Sequence, residues 1–185
     1  MTKSNFSERR DLLFLGGLQH PPNRDALRWY VESIAPLLRR LLPGVRLHVI
    51  GSTDTDATGL WSRDDVLLHG RVADFGPWLE SCRLSIAPLR FGAGVKGKLN
   101  TAMAHGLPVV ATSVAAEAMH LQDGRDVLLA DDAESFAAAI VRAYADAGLW
   151  GALSAGGLAN VRNHFSEAQA CAVLRELLGI ARDNG

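Results

Sequence analysis

One glycine-rich stretch holds the side chains of this chain that are best suited to chemistry. Gly92, Gly94 and Gly97 alternate with Lys96 and Lys98, and a segment of helical pattern follows directly. Glycines let backbone amides approach a ligand closely, a helix N-terminus adds partial positive charge, and two ammonium groups add full charges. The stretch therefore predicts a binding site for a phosphate or a pyrophosphate.

The same glycines match the dinucleotide pattern Gly-x-Gly-x-x-Gly over residues 92–97. That pattern normally joins the first strand of a sheet to the first helix, with an acidic residue about 20 positions later. Here it follows the predicted fourth strand, and Glu117, at about the right distance, lies beyond a further strand and loop. A nicotinamide or flavin site is therefore the weaker alternative.

Length and composition indicate a single globular domain. The chain has 185 residues, 48% of them hydrophobic, which is enough for the core of one ordinary domain. A net charge of -1 without a basic block argues against nucleic-acid binding. Cys82 and Cys171 lack metal-ligand spacing, which predicts reduced core residues and a cytoplasmic location.

Membrane insertion is not expected from the hydrophobic pattern. No apolar run approaches the roughly 20 residues that a spanning helix needs, and residues 1–10 are too polar for a signal peptide. Peripheral contact between one helical face and a membrane remains open.

Six short apolar runs alternate with segments of helical period. The predicted strands are 12–15, 46–50, 66–69, 84–87, 108–112 and 127–129, and the predicted helices are 23–42, 74–81, 98–105, 132–146, 150–163 and 166–180. Pro36 should kink or split the first helix. The alternation predicts an α/β, Rossmann-like, doubly wound parallel sheet of about six strands, with helices on both faces and a helical C-terminal tail. We expect residues 1–11 to be disordered or a linker, and residues 12–185 to form one domain.

Such a sheet binds ligands beyond the carboxyl ends of its strands. The loops that follow Gly17, Gly51, Gly70, Ala87 and Thr112 should gather there, and the glycine-rich stretch is part of the loop after Ala87. The order of elements along the chain therefore places the candidate phosphate site at the edge of the sheet where ligands normally bind.

From this stretch outward, the sequence resembles the C-terminal half of a family 4 (group 1) retaining glycosyltransferase, a type built from two facing Rossmann-like domains. The resemblance extends from Leu12 to about Phe165. It rests on several ordered motifs, which are Leu13–Gly17 with Pro22–Asn23, Val66–Val72, Ile86–Pro88, Gly92–Thr112, Ala116–Glu117 and Asp123–Gly124.

The resemblance implies the donor-binding half of a sugar transferase. In that family this half holds a nucleoside-diphosphate sugar, an N-terminal domain holds the acceptor, and no metal or other cofactor takes part. The N-terminal acceptor domain is expected to be absent from this chain, so the domain alone should bind a donor weakly and transfer little or nothing.

The resemblance also assigns roles by position. The residues implied to contact the donor sugar and its phosphates are Gly16, Gly17, Gly92, Ala93, Gly94, Val95, Lys96 and Lys98. Lys96 is the implied catalytic residue because it, with Lys98, would neutralise charge on the leaving pyrophosphate. The backbone around Arg71 and Val72 would meet the base, and Thr101 would reach the ribose.

The chain departs from the family pattern at the residues that usually grip the donor. Two glutamates eight positions apart are common in the family, and those positions hold Ala93 and Thr101 here. An arginine and a lysine often follow the first strand, where this chain has Gly17 and Pro22, with Arg24 close enough to substitute. A threonine can hydrogen-bond a hydroxyl but lacks the charge of a carboxylate.

Two other functions remain open at this point. A noncatalytic nucleotide-binding or interaction domain could retain the fold after losing both glutamates. A sugar-nucleotide epimerase of related build would need catalytic carboxylates that this half does not supply.

The histidines give no support for a metal site. His20, His48, His120 and His164 show no ligand spacing. His69 is predicted to be structural and His105 to end a helix.

Overall fold

The computed structural model describes residues 5–53 and 63–166. Its strands are β1 (Arg10–Leu15), β2 (Leu47–Ile50), β3 (Val66–Gly70), β4 (Cys82–Ala87), β5 (Val109–Ala111) and β6 (Leu128–Leu129). Its helices are α1 (Pro21–Trp29), α2 (Ala35–Leu41), α3 (Gly76–Ser81), α4 (Gly97–Ala104), α5 (Ser113–Ala116), α6 (Ala133–Ala145) and α7 (Ala147–His164). A 3₁₀ turn at Phe6–Glu8 precedes β1, and a π-helical segment at Tyr30–Ile34 joins α1 to α2.

The six strands form one sheet in the order β3-β2-β1-β4-β5-β6, and every neighbouring pair is parallel. Leu13 sits at the centre of the sheet, with His48 of β2 on one side and Ser85 of β4 on the other. Helices surround the sheet, and the predicted Rossmann-like α/β fold is confirmed.

The two central strands are buried on both faces. Leu12, Leu13 and Phe14 of β1 have no solvent exposure, and neither does Leu84 of β4. Consecutive apolar residues are typical of parallel strands covered on both sides, because each face of the strand then needs an apolar side chain. This rigid centre fixes the strand ends from which the loops of the candidate site emerge.

Residues that precede the first apolar run already pack against the rest of the domain. β1 begins at Arg10 rather than at Leu12, and the ring of Phe6 packs against Trp150 with centroids 5.9 Å apart. Arg9 is fully buried, and its Nη1 donates to the carbonyl oxygens of Leu79 (2.7 Å) and Cys82 (3.0 Å). Residues 5–11 therefore pack as part of the domain, where the sequence pattern indicates a disordered segment or a linker.

The long helical segment after β1 is divided as its proline predicts. α1 begins at Pro21, and a proline fits this position because an N–H in the first turn would have no partner within the helix. Regular α-helix resumes at Ala35, beside Pro36. The π-helical turn between them accommodates the missing N–H of Pro36. The chain stays helical from Pro21 to Leu41, and the irregularity expected at Pro36 takes the form of this π-helical turn just before it.

The remaining helices follow the pattern closely. Asp132 caps α6 by accepting from the backbone N–H of Ser135, and His105 ends α4 before Gly106 at φ +66°. α7 begins at Ala147, earlier than predicted, because Asp146 caps it. The predicted helix at 166–180 and Cys171 lie outside the described residues. Within the described ranges, no helix is both long and apolar enough to cross a bilayer.

Candidate functional site

The strand order reverses between β1 and β4, and a cavity of about 910 Å³ opens at the carboxyl ends of the strands. In a doubly wound sheet the connections on either side of such a point run in opposite directions and leave a crevice. Loops from β1, β2, β3 and β4 all contribute to the lining. The cavity therefore lies where the sequence predicts a ligand site.

Most of the predicted site residues meet in this cavity. Those that line it are Gly16, Gly17, Arg71, Val72, Gly92, Ala93, Lys96, Lys98 and Thr101. Gly94 and Val95, which the structure also describes, do not line the cavity, and Val95 is 53% exposed. The glycine-rich stretch thus meets the cavity with its two ends while its middle turns toward solvent.

The floor of the cavity requires glycine at the ends of β1 and β2. Gly51 has φ +151°, and a Cβ there would overlap the backbone carbonyl of Gly16. A Cβ on Gly17 would overlap Oγ of Ser52. The two loops approach each other at backbone distance, so the family's arginine at the position of Gly17 could enter only if Ser52 moved.

Lys98, in the first turn of α4, is held at the inner wall of the cavity. Its Nζ donates to Oδ1 of Asn23 (2.6 Å) and lies 5.1 Å from the centre of the Phe14 ring. Asn23 in turn donates through Nδ2 to the carbonyl of Gly17 (2.9 Å). A short polar chain therefore connects the ammonium group to the glycine loop that follows β1.

The environment of Lys98 disfavours its charge. Burial, and secondarily the nearby charge of Lys96, lower the pKa of Lys98 to about 8. Within the ranges 5–53 and 63–166, no carboxylate lies within ion-pair distance of Lys98 or Lys96. An anionic ligand in the cavity would therefore supply the counter-charge that the protein itself does not.

Lys96, the N-cap residue of α4, is partly exposed and rests on its own loop. Its Nζ donates to the carbonyl of Gly94 (2.6 Å), with the carbonyl of Gly92 at 3.5 Å. Its backbone N–H points at Sδ of Met119 (3.2 Å). Since the partners of the ammonium group are neutral and local, it can exchange them for phosphate oxygens. Two of the three lysines in the chain lie at this helix start.

Thr101 and Arg24 stand in place of polar residues that are common in the family, and both are less available to a ligand than the two lysines. Thr101 donates through Oγ1 to the carbonyl of Gly97 (3.0 Å), which leaves only the acceptor side of its hydroxyl for a ligand. Arg24 donates through Nε to the carbonyl of Leu18 (3.1 Å) and is not among the described lining residues. Asn23, the next residue back, is the one that reaches the site.

Several cavity residues carry no functional signal in the sequence. Asn23 belongs to a matched motif, but only the folded chain shows that its amide holds Lys98. Phe75 and Phe91, 40% and 47% exposed, line the cavity from the loops after β3 and β4. An isolated aromatic residue in a loop has no periodicity or spacing to distinguish it from a core residue.

A polar array crosses the sheet from the start of β1 to the end of β3. Asp11, at φ +61°, accepts from the backbone N–H of Arg46 and lies 3.2 Å from Nε2 of His48. His48 Nδ1 is 2.8 Å from Nε2 of His69, whose pKa is lowered by burial and then by His48. The array ties β1, β2 and β3 together, consistent with a structural role for His69. Among the described residues, no group of three or more His, Cys, Asp or Glu side chains is arranged to hold a metal ion.

A parallel sheet in the order 3-2-1-4-5-6, with a crevice at its switch point, defines a Rossmann-like domain. The glycine pattern follows β4 instead of joining β1 to α1, so it does not occupy the position of a dinucleotide fingerprint. Residues 9–146 match the family model of the group 1 glycosyl transferases, and the chain belongs to that family.

Individual relatives are longer than this chain. An uncharacterized 44.6 kDa protein in the cps region of Klebsiella pneumoniae is 26% identical over 140 residues, covering 71% of this chain and 36% of that protein. The chain therefore spans about a third of the length of this relative.

Solved structures show the same fold. A mutant of TarM from S. aureus, in complex with Fondaparinux, alpha-GlcNAc-glycerol and UDP, superposes with a TM-score of 0.77 at 17% identity, covering 97% of this chain and 37% of TarM. HepE of Anabaena, in complex with UDP and glucose, gives a TM-score of 0.75 at 16% identity, covering 95% of this chain and 50% of HepE.

Proposed function

We propose that this chain is the donor-binding domain of a glycosyltransferase and that its cavity takes a nucleoside-diphosphate sugar. The observation that carries the proposal is the pair Lys96 and Lys98, which face the cavity at the start of α4 with no carboxylate partner among the described residues. UDP in the crystals of TarM and HepE, two proteins of the same fold, supports this class of ligand.

The diphosphate belongs at the point where β1 and β4 diverge. Gly16, Gly17, the first residues of α4 and both lysines line the cavity there, and their donors would bind the phosphate oxygens. Gly92 and Ala93 would border the donor sugar, while Gly94 and Val95 shape the loop without contact. The backbone of Arg71 and Val72 would meet the base, and the hydroxyl of Thr101 would accept from the ribose.

The lysines fit the chemistry of sugar transfer. When the bond from the anomeric carbon to the diphosphate oxygen breaks, negative charge accumulates on the leaving diphosphate. Preorganised ammonium groups stabilise that charge most where water is excluded. Among the described residues, Lys96 is held by carbonyls of its own loop and can follow the departing oxygen, whereas Lys98 is fixed by Asn23. We propose that these two charges do the work for which other transferases use a divalent cation.

The acceptor and the compartment are part of the same proposal. A second domain would hold the acceptor, so this domain by itself would bind a donor without transferring its sugar. Cys82 is free and buried, as expected in a reducing compartment, and we place the protein in the cytoplasm.

Calorimetry with uridine, guanosine and adenosine diphosphates and their sugars tests the proposal. We expect at least one of them to bind, and EDTA to leave its affinity unchanged. Lys96→Ala should weaken that ligand about tenfold or more, because a charge-assisted hydrogen bond contributes about 1.5–3 kcal/mol. Arg40→Ala, which removes an exposed charge from α2, is the control and should bind normally. Absence of heat with every ligand would contradict donor binding.

A second candidate function is favoured by Ala93 and Thr101. Both stand where the resemblance places glutamates, so a noncatalytic interaction domain could keep the fold without the donor site. In that case Lys96→Ala would not change nucleotide affinity.

A further inference from the structure

We propose that Phe75 is the platform on which the base of the bound nucleotide stacks. The inference rests on the proposed function and deepens it, because it assigns one end of the cavity to the base. Phe75 follows β3 and lines the same cavity as the two lysines. It is 40% exposed even though its side chain is entirely apolar.

The width of the sheet separates Phe75 from the lysines by a suitable distance. Phe75 lies beyond β3 at one end of the order β3-β2-β1-β4, and the glycine-rich stretch follows β4 at the other. Parallel strands are about 4.8 Å apart, so the cavity crosses about 14 Å of sheet edge. An extended nucleoside diphosphate matches that span, with its phosphates at α4 and its base at the loop after β3.

The backbone of Phe75 is fixed from several sides. Phe75 is the N-cap residue of α3, and its carbonyl accepts from the backbone N–H groups of Trp78 (3.1 Å) and Leu79 (3.2 Å). The carboxylate of Asp74 accepts from the backbone N–H of Gly76 (2.7 Å) and closes the turn around it. A ring attached to such a rigid segment loses little conformational freedom when a ligand covers it.

α3 itself is anchored to the sheet. Leu79 is fully buried, its carbonyl accepts from Arg9, and the Trp78 ring lies 5.0 Å from that of His69 on β3. The helix that presents Phe75 therefore does not depend on the ligand for its position. What remains uncovered is the ring of Phe75, whose π face can stack on any base.

The neighbouring residues leave the base-stacking role to Phe75. Val72 also lines the cavity, but its side chain is partly buried against the core. Ile50, the other large apolar side chain at the end of β2, is only 5% exposed. A planar apolar ligand group at this end of the cavity would thus find its largest accessible apolar surface at Phe75.

The decisive experiment compares a ligand that has a base with one that has none. Affinities for UDP and for inorganic pyrophosphate are measured by calorimetry on the wild-type chain and on Phe75→Ala, Phe75→Trp and Leu41→Ala. Leu41 is 56% exposed at the end of α2, and its variant serves as the control for loss of an exposed apolar side chain. Thermal unfolding of each variant reports whether it is folded.

We expect Phe75→Ala to weaken UDP about tenfold or more while leaving pyrophosphate unchanged. Phe75→Trp should retain UDP binding, and Leu41→Ala should change neither ligand. Equal effects on UDP and pyrophosphate, or an unchanged UDP affinity in Phe75→Ala, would overturn the stacking role while leaving donor binding intact. If the wild-type chain binds neither pyrophosphate nor any of the uridine, guanosine and adenosine diphosphates, the proposed function itself fails, and the two failures are thereby distinguished.

Discussion

Arg9 and Lys98 are cations at opposite edges of the same sheet, and their surroundings differ. Arg9 precedes β1 and is fully buried, with its Nη1 shared between the carbonyls of Leu79 and Cys82. Its guanidinium also lies over the Trp150 ring, 5.5 Å from the centroid. Lys98 is partly buried beside the cavity, and a single amide oxygen, from Asn23, accepts from its ammonium group.

The difference separates a structural charge from one available to a ligand. The carbonyls at Arg9 end α3 and begin β4, and they need donors whether or not a ligand is present. A guanidinium with donors in a fixed fork suits that permanent task. The ammonium group of Lys98 has three donors, of which the described residues engage one, so the others can meet an anion.

Arg9→Met tests the structural side of this comparison and has the largest expected effect. Removal of the guanidinium leaves two buried carbonyls without a donor, and we expect a loss of about 3 kcal/mol or more in the free energy of unfolding. Urea unfolding measures the loss, and the folded fraction should bind UDP as the wild type does. Arg9→Lys restores a positive charge but not the planar guanidinium with its several N–H donors, and it should recover part of the stability. A loss below about 1 kcal/mol would show that the carbonyls find other partners.

Lys98→Met should give the opposite pattern. We expect UDP affinity to fall about tenfold to a hundredfold, because a charge-assisted contact to the diphosphate is lost. The free energy of unfolding should stay the same or rise, since an apolar side chain of similar length replaces a charge that burial disfavours. Calorimetry and urea unfolding on the same preparations supply both values, with Arg40→Met as the charge control. A clear loss of stability with unchanged affinity would make Lys98 a structural residue like Arg9.

The positions of the cavity-lining groups of the glycine-rich stretch were largely predictable because local sequence determines them. Glycines beside Lys96 and Lys98 mark a loop that enters a helix, and alternating strands and helices place that loop at the carboxyl edge of the sheet. The same reasoning foresees the irregularity beside Pro36 and the start of the helix near residue 132. Each of these features depends on residues within a few positions of one another.

Partnerships across long stretches of chain were not predictable in this way. Arg9 reaches the carbonyls of Leu79 and Cys82, 70 and 73 positions away, and Asn23 meets Lys98 across 75 positions. An arginine in a polar N-terminal segment looks like a solvated charge until β4 and α3 pack around it. The requirement for glycine at Gly51 is similar, because a Cβ there would overlap the backbone of Gly16, at the end of a different strand.

The pH dependence of UDP affinity sharpens the assignment of Lys98. Its pKa of about 8 is lower than usual, and a bound diphosphate would raise it by favouring the charged form. Below about pH 8 the ammonium is already charged and affinity should be flat. Above it binding must take up a proton, so affinity should fall by up to about tenfold per pH unit.

Calorimetry between about pH 7 and pH 9.5, in two buffers of different ionisation enthalpy, measures both the affinity and the proton uptake. Lys98→Arg, which remains charged throughout this range, should remove the pH dependence. A wild-type affinity that stays constant up to about pH 9.5 would mean that the Lys98 ammonium does not contact the ligand.

The smallest effect is expected for a third kind of cation, in an exposed ion pair beside the cavity. Arg90 holds Asp25 of α1 through two hydrogen bonds, Nε to Oδ2 at 2.9 Å and Nη2 to Oδ1 at 2.5 Å, just ahead of Gly92. Because the Arg90 side chain is 46% exposed, Arg90→Ala should cost less than about 1 kcal/mol of unfolding free energy.

Arg39 and Asp65 form a matched bidentate pair, at 2.7 and 3.1 Å, with a similarly exposed arginine. Arg39→Ala should therefore lose a similar small amount of stability in urea, and neither variant should change UDP affinity more than about threefold. If Arg90→Ala alone weakens UDP strongly, the ion pair with Asp25 positions the glycine-rich stretch, and Arg90 then belongs with Lys98 instead of with the surface charges.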